Sequence, residues 1–303
     1  MVDENEPTEQ EWPAAPITGT HVEGLKRLRA DLDERQRIKL GPAWRAMKAC
    51  AKNSTMQVKH GQPPFPAYTT YLKLANVMDE FKLPCERFCA LAEGPGSMAL
   101  YLLRCYPHST GVGLTLPDHN LQWSWLEPLR NNARFTALEG DVTAEDADCR
   151  VGTGFDLVIA DGGLAEKVCQ EAEAHLLLAG EAQLASRILA LGGNFVIKIY
   201  DTFLKATQEM VWALAHVFRI IHISHGVAVR QNNAERYLVC MGFRGRVEYT
   251  PPAFSETFLA FMRKANQRAV NLHSACQASI ALGLDAFPES VSESDAKLYF
   301  ESL

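Results

Sequence analysis

Short apolar runs alternate with stretches of helical periodicity along most of this chain, beginning near residue 88. The runs at 88–92, 111–116, 135–138, 155–160, 194–200, 216–223 and 237–243 have the length of strands. They are almost continuously apolar, as strands buried on both faces are. Helical patterns separate most of them, notably 97–105 and 166–191, which predicts a parallel sheet covered on both sides. Seven strands fit one doubly wound α/β domain, with the last run antiparallel and inserted beside the fifth. Upstream, after the loop Pro63-Pro64-Phe65-Pro66, the residues Tyr71, Leu74, Ala75, Met78 and Phe81 form an apolar helical stripe, and Lys73 points off it. Downstream of Pro251-Pro252, Phe254, Phe258, Phe261, Ala265 and Ala269 predict one long terminal helix followed by a polar tail.

The first residues change the picture of what surrounds this domain. Residues 1–20 are acidic, carry Pro7, Pro13 and Pro16, show no periodicity and read as a disordered tail. Between Lys26 and Lys59, ten Lys or Arg face only Asp31, Asp33 and Glu34 in a chain whose net charge is −6. Arg45, Lys48 and Lys52 share one helical face behind Pro42, and such a patch favours an anionic partner. The expected division is therefore a tail to 20, a basic helical segment over 21–84, the α/β core over 85–247 and a helical extension over 248–303. At 303 residues and 47% hydrophobic composition the chain can bury a full core without staples. Its eight cysteines include no CxxC pair, so buried reduced thiols are expected and no metal site. Five acids and no base among the first eleven residues are the opposite of a targeting peptide, and no apolar run is long enough to span a bilayer. An intracellular, cytoplasmic or nuclear, protein with no membrane partner is expected.

Chemistry gathers at the strand ends, where an open α/β sheet binds its ligands. The first strand runs into Leu91-Ala-Glu93-Gly94-Pro95-Gly96-Ser97-Met-Ala99, a strand, a tight glycine turn and a helix start, where a ligand can approach the backbone. The glycines alone also fit a dinucleotide fingerprint. A nicotinamide site would want an acid at the tip of the second strand, yet that strand ends Gly113-Leu-Thr115-Leu116. Asp141 and Val142 follow the third strand, Asp161 ends the fourth and Lys198 lies in the fifth, in line with Val196 and Tyr200. A buried lysine is costly unless paired, and desolvation is expected to lower its pKa and suit it to take a proton. Glu235 stands before the last strand.

The set Lys73, Asp161, Lys198 and Glu235 resembles the Lys-Asp-Lys-Glu tetrad of the FtsJ-like ribose 2′-O-methyltransferases. The likeness covers roughly 70–245 and extends to Glu93-Gly-Pro-Gly96, Gly113-Leu-Thr-Leu116, Gly140-Asp-Val-Thr143 and Asp161-Gly-Gly163. The segments 192–201 and 230–240 are similar in particular to eukaryotic and viral mRNA cap enzymes, although Gln231 and Ala234 replace a proline and a serine usual there. The resemblance implies a Rossmann-like, mostly parallel seven-stranded sheet and the methyl donor S-adenosylmethionine, leaving as S-adenosylhomocysteine. Glu93, Gly94, Pro95, Gly96, Ser97, Thr115, Leu116, Asp141, Val142 and Asp161 would line the cofactor. It implies the tetrad as catalytic, with Lys73 helping to keep Lys198 partly neutral. RNA, most readily capped mRNA, would lie on Arg45, Lys48, Lys52 and Tyr68, with Trp44, Phe65 and Tyr71 offering faces for stacking. Other capping or polymerase proteins are implied as partners. Methylation of ribosomal RNA, or a silent RNA-binding module on the same scaffold, are the alternatives.

Overall fold

The structure, a computed structural model, describes residues 68–117, 125–163, 170–224, 234–246 and 253–285. Trp44, Arg45, Lys48, Lys52 and Phe65, with the acidic tail and the rest of the basic segment, lie outside the described residues.

Seven strands form one sheet: β1 (Arg87–Leu91), β2 (Thr110–Thr115), β3 (Phe135–Glu139), β4 (Phe155–Ala160), β5 (Leu189–Ile199), β6 (Phe218–Ser224) and β7 (Arg236–Phe243). Their order is β3-β2-β1-β4-β5-β7-β6. All neighbours are parallel except β7, which runs antiparallel to both β5 and β6. This is the expected insertion of the last run beside the fifth. β5 begins five residues earlier than its apolar run, and its pairing with β4 shifts between Phe155/Leu189 and Leu157/Asn194. The Gly192-Gly193 pair takes up the slack, with Gly192 at φ 81.

The described helices are α1 (Tyr68–Phe81), α2 (Ser97–Cys105), α3 (Glu127–Arg130), α4 (Ala147–Val151), α5 (Gln170–Ile188), α6 (Lys205–Val217) and α7 (Glu256–Asp285). They cover the sheet on both faces, because strands such as β4, with Leu157, Val158, Ile159 and Ala160 all buried, leave neither face for water. One core joins Phe88, Ala90, Ile159, Val196 and Val239 to α1, α2, Trp125 and Leu129. The other joins Leu91, Val158, Ile197 and Leu238 to α4, α5, α6 and the first turns of α7.

Three expectations change here. Tyr71 is buried and packs edge-on against Tyr101 with centroids 5.0 Å apart, so its ring is core and offers no face to RNA. α7 runs on past Ala269 to Asp285. Cys85, Cys89 and Cys240 are buried thiols as expected, whereas Cys105 and Cys149 are exposed.

At the carboxyl rim α7 is pinned by a reciprocal pair. The Thr202 hydroxyl donates to Asn266 Oδ1, and Asn266 Nδ2 donates to the Thr202 carbonyl at 3.0 Å. No described helix is long and apolar enough to cross a membrane.

Candidate active site

The carboxyl ends of β1, β4 and β5, the amino end of β7 and one face of α1 meet at a single point on the rim. The parallel ladder sets the ends of β1, β4 and β5 level, and the Asp161 N–H donates to the Leu91 carbonyl at 3.2 Å, tying the turn after β4 to the end of β1. Because β7 is antiparallel, its first residues arrive at the same end. Lys198 and Tyr237 are direct cross-strand partners and share a face.

All four residues of the expected tetrad are brought together. Lys73, off the apolar stripe of α1, makes a very short ion pair with Glu235 across 162 residues of chain. Lys198 Nζ lies 3.3 Å from Asp161 Oδ1 and donates to the Asp161 carbonyl at 2.7 Å. Two ammonium groups and two carboxylates, all nearly buried, thus balance in charge. Pairing is what makes burial tolerable, since a lone buried ion costs several kcal/mol.

Tyr237 joins the two pairs, a role the sequence reading did not assign it. Its fully buried hydroxyl donates to Asp161 Oδ1 at 2.8 Å and lies 3.2 Å from Glu235 Oε1. The signal was available, because a residue two beyond Glu235 on a strand shares its face. Burial and then the two carboxylates raise the phenol's pKa well above its ordinary value, so it stays a donor.

The protonation state of Lys198 is a correction. Burial alone would lower its pKa, as expected, but Asp161 and then Glu235, Tyr200 and Glu181 outweigh it, and the net direction is up. In the resting chain Lys198 is a firmly held cation. Lys73 is not the group that neutralises it, since its charge is spent on Glu235. For Glu235 burial works to raise the pKa, and the charges of Lys73 and Lys198 overturn that and hold the carboxyl below its usual range.

Beside the tetrad lies the glycine turn. The Gly94–Pro95 peptide is cis, Gly96 sits at φ 105, and its N–H donates to the Glu93 carbonyl at 2.7 Å. A side chain at Gly96 would also strike Leu129 at 2.1 Å and Trp125 at 3.0 Å, so packing against α3 demands glycine there as much as any ligand does. Glu93 is buried, and its two oxygens accept the Met98 and Ala99 N–H groups at 2.7 and 3.2 Å, capping α2 from within. Burial pushes its carboxyl up to about 8 against those bonds. Ser97, the first residue of α2, holds a buried hydroxyl without a hydrogen-bond partner among the described residues. An unspent donor at a helix start, next to a turn whose carboxylate is already used, fits a ligand with its own polar groups, such as the amino-acid end of S-adenosylmethionine.

The other cofactor candidates sit along the same rim. Thr115 is buried at the end of β2, and its carbonyl accepts the Gly140 N–H at 2.7 Å, while Leu116 is exposed. Asp141 is exposed, its Oδ1 accepting from the Thr143 N–H and hydroxyl at 2.8 and 2.7 Å, and Val142 is buried beneath it. Tyr68 is the first residue of α1.

Two further residues near the tetrad were not singled out from the sequence. Glu181 falls in the buried stripe of α5 with Ala174, Leu178 and Ala185, and its Oε1 accepts the Gly162 N–H at 3.0 Å. A carboxylate at helical spacing within an apolar stripe was the sign of it. Tyr200, expected in line with Lys198, comes just after the last residue of β5, and its ring joins the core under α5 and α6. No cluster of three or more metal-ligating side chains occurs among the described residues.

The profile of the FtsJ-like methyltransferases matches residues 70–243, more than half of the chain. The chain belongs to that family. The chain is 29% identical to a cap-specific mRNA (nucleoside-2′-O-)-methyltransferase 1 of Leishmania braziliensis, over 52% of this chain and 44% of that protein. The cap-specific mRNA (nucleoside-2′-O-)-methyltransferase of Autographa californica nuclear polyhedrosis virus is 28% identical over 55% of this chain and 69% of its own length. The corresponding Trypanosoma cruzi enzyme is 33% identical over 56% and 51%. The chain thus spans about half the length of the two trypanosomatid relatives.

Proposed function

We propose that this FtsJ-like chain transfers a methyl group from S-adenosylmethionine to a ribose 2′-oxygen of RNA, at the first transcribed nucleotides of capped mRNA. The observation that carries the reading is the closed tetrad, with Lys73 on Glu235, Lys198 on Asp161 and Tyr237 between the carboxylates. The names of the viral and trypanosomatid relatives support the capped substrate.

The cofactor supplies an electrophilic methyl on a sulfonium; Gly94, Gly96 and Ser97 would hold its amino-acid end, and Thr115, Leu116, Asp141 and Val142 its nucleoside. The acceptor hydroxyl meets Lys198, which takes its proton once its own has gone to solvent, and the ammonium so formed attracts the charge that grows on the oxygen. Lys198 can itself take that proton only after giving up its own, and Asp161 and Glu235 set how readily it does so. Positioning supplies much of the remaining rate, because both ion pairs and Tyr237 fix the lysine in one place. Arg45, Lys48 and Lys52 are proposed to contact RNA phosphates, and other capping or polymerase proteins to work beside this chain.

The test is transfer of radiolabelled methyl from S-adenosylmethionine to short RNA bearing an N7-methylguanosine cap, beside the same RNA uncapped. Digestion should place the label on a 2′-oxygen near the cap. Lys198→Ala should abolish transfer while S-adenosylhomocysteine still binds. Equal transfer to uncapped RNA would overturn the cap assignment, and normal turnover by Lys198→Ala would overturn the mechanism.

A further inference from the structure

A single peptide group stands between the tetrad and α5. Its carbonyl, that of Asp161, accepts the Lys198 ammonium at 2.7 Å, and its N–H, that of Gly162, donates to Glu181 Oε1 at 3.0 Å. Glu181 is fully buried, and Gly162 is buried with it. A side chain at residue 162 would run into Glu181 Oε1 and Leu177, so glycine is what lets the carboxyl approach. That glycine, followed by Gly163, also leaves the peptide easy to turn over. A turned peptide would take the carbonyl away from Lys198 and leave the lysine to the longer contact with Asp161 Oδ1 at 3.3 Å.

We infer that Glu181 is a positioning residue for methyl transfer: by anchoring the Gly162 N–H it holds the Asp161–Gly162 peptide in the orientation that keeps its carbonyl on Lys198. The inference rests on the function proposed above and adds to it a residue on α5 that acts through this peptide. A carboxyl in the apolar stripe of Leu178 and Ala185 is costly to bury, and its one hydrogen bond among the described residues goes to this peptide. Bonds in series also polarise one another, so an acceptor on the N–H makes the carbonyl a better acceptor for the ammonium. Lys198 faces Asp161, Glu235, Tyr200 and Glu181, and its charge reaches Glu93; Tyr237 is its cross-strand partner, and Lys73 is paired with Glu235. Glu181 itself faces Lys198 and Asp161.

Two variants of the full chain separate the anchor from the charge. Glu181→Gln and Glu181→Met both lack the carboxyl, and only glutamine offers an oxygen to the Gly162 N–H. In single turnover on capped RNA, Glu181→Met should lower the maximum rate about ten- to a hundredfold, the scale of a hydrogen bond to a charged group, while Glu181→Gln stays within about threefold of the wild type. Loss of the carbonyl also loosens the proton on Lys198. The limb of the rate that rises with pH should therefore lie about one pH unit lower in Glu181→Met than in Glu181→Gln. Affinity for S-adenosylhomocysteine should be the same in all three proteins. In the wild type, hydrogen exchange at the Gly162 amide should be at least about a hundredfold slower than at an unstructured glycine, which needs no variant to measure. Equal maximum rates in the two variants, or an unprotected Gly162 amide, would overturn the inference while leaving the methyltransferase reading intact. A wild-type chain that methylates no RNA would overturn that reading, and this inference with it.

Discussion

Replacing Glu181 by glutamine should change how stability depends on pH by a calculable amount. The carboxyl is fully buried, and its Oε2 has no hydrogen-bond partner among the described residues. Burial pushes it from 4.5 up to about 8, with the Lys198 charge and the Gly162 bond acting the other way. The unfolded chain therefore releases this proton near pH 4.5, and the folded chain keeps it until near pH 8. The stability this group contributes is fully present below 4.5 and is lost as pH rises through about 8. At ~1.4 kcal/mol per pH unit, the loss between about pH 5 and about pH 9 is on the order of 4 kcal/mol. Glutamine keeps an oxygen for the Gly162 N–H and cannot ionise, so the variant lacks this slope. Near pH 5 each side chain buries one unpartnered polar group, and the two proteins should melt within a degree or two of each other. Near pH 9 the variant should melt higher by roughly 6 °C, taking an unfolding entropy of about 2 cal/mol/K per residue. Calorimetric melts of both proteins across that range read the difference directly. Glu93 and Glu171, raised to about 8 and about 7 chiefly by burial, add the same slope to both and cancel. Parallel curves would show that Glu181 is already ionised in the folded chain.

Tyr237→Phe removes a hydroxyl shared by Asp161 and Glu235; kcat should fall about ten- to a hundredfold with little change in cofactor affinity, as expected for a hydrogen bond to a charged group. Asn266→Ala leaves the Thr202 hydroxyl and carbonyl without their partner on α7. It should lower unfolding stability by about 2 kcal/mol in urea titrations, with the slope against urea unchanged.

What the sequence made legible was whatever local pattern determines. The strands were readable because a strand buried on both faces must be apolar at nearly every position, as 157–160 are. Asp161, Lys198 and Glu235 were readable because ionisable groups at the ends of such strands have few other reasons to be there, whereas Lys73, on a helix, was joined to them only by the family resemblance. Quantities set by distances across the sheet were not readable. Lys198 looked like a lysine that burial would neutralise, and only the folded arrangement shows two carboxylates close enough to reverse the sign. Tyr71 could equally have faced RNA or Tyr101 until α1 was laid on α2. The last turns of α7, through Ser274-Ala-Cys276-Gln-Ala-Ser279, carry too little apolar contrast to mark a helix. Glu181 gains its meaning from Gly162, which lies in a turn whose shape neither helix nor strand pattern encodes.

The two ion pairs share one electrostatic balance, and Glu235→Gln is the perturbation that exposes it. Glu235 faces Lys73 and the Tyr237 hydroxyl directly, and its charge is the second-largest contribution holding the proton on Lys198, after that of Asp161. Glutamine retains an oxygen for Lys73 and Tyr237 but removes that charge, and it leaves Lys73 an uncompensated cation. Both changes weaken the hold of Lys198 on its proton, in the same direction. If Lys198 must be neutral to take the proton of the acceptor hydroxyl, the limb of kcat that rises with pH should move to lower pH in the variant. The maximum rate should fall, since a weaker acceptor positions Lys73 less firmly, but height is the wrong quantity to read. Asp161→Asn should move the limb further still, because its charge is the larger of the two. Single-turnover rates at saturating RNA and cofactor, followed across pH in all three proteins, give the positions of the limbs. A limb that stays in place, or moves to higher pH, in both variants would mean that Lys198 acts as a cation throughout and that the proton leaves by another route.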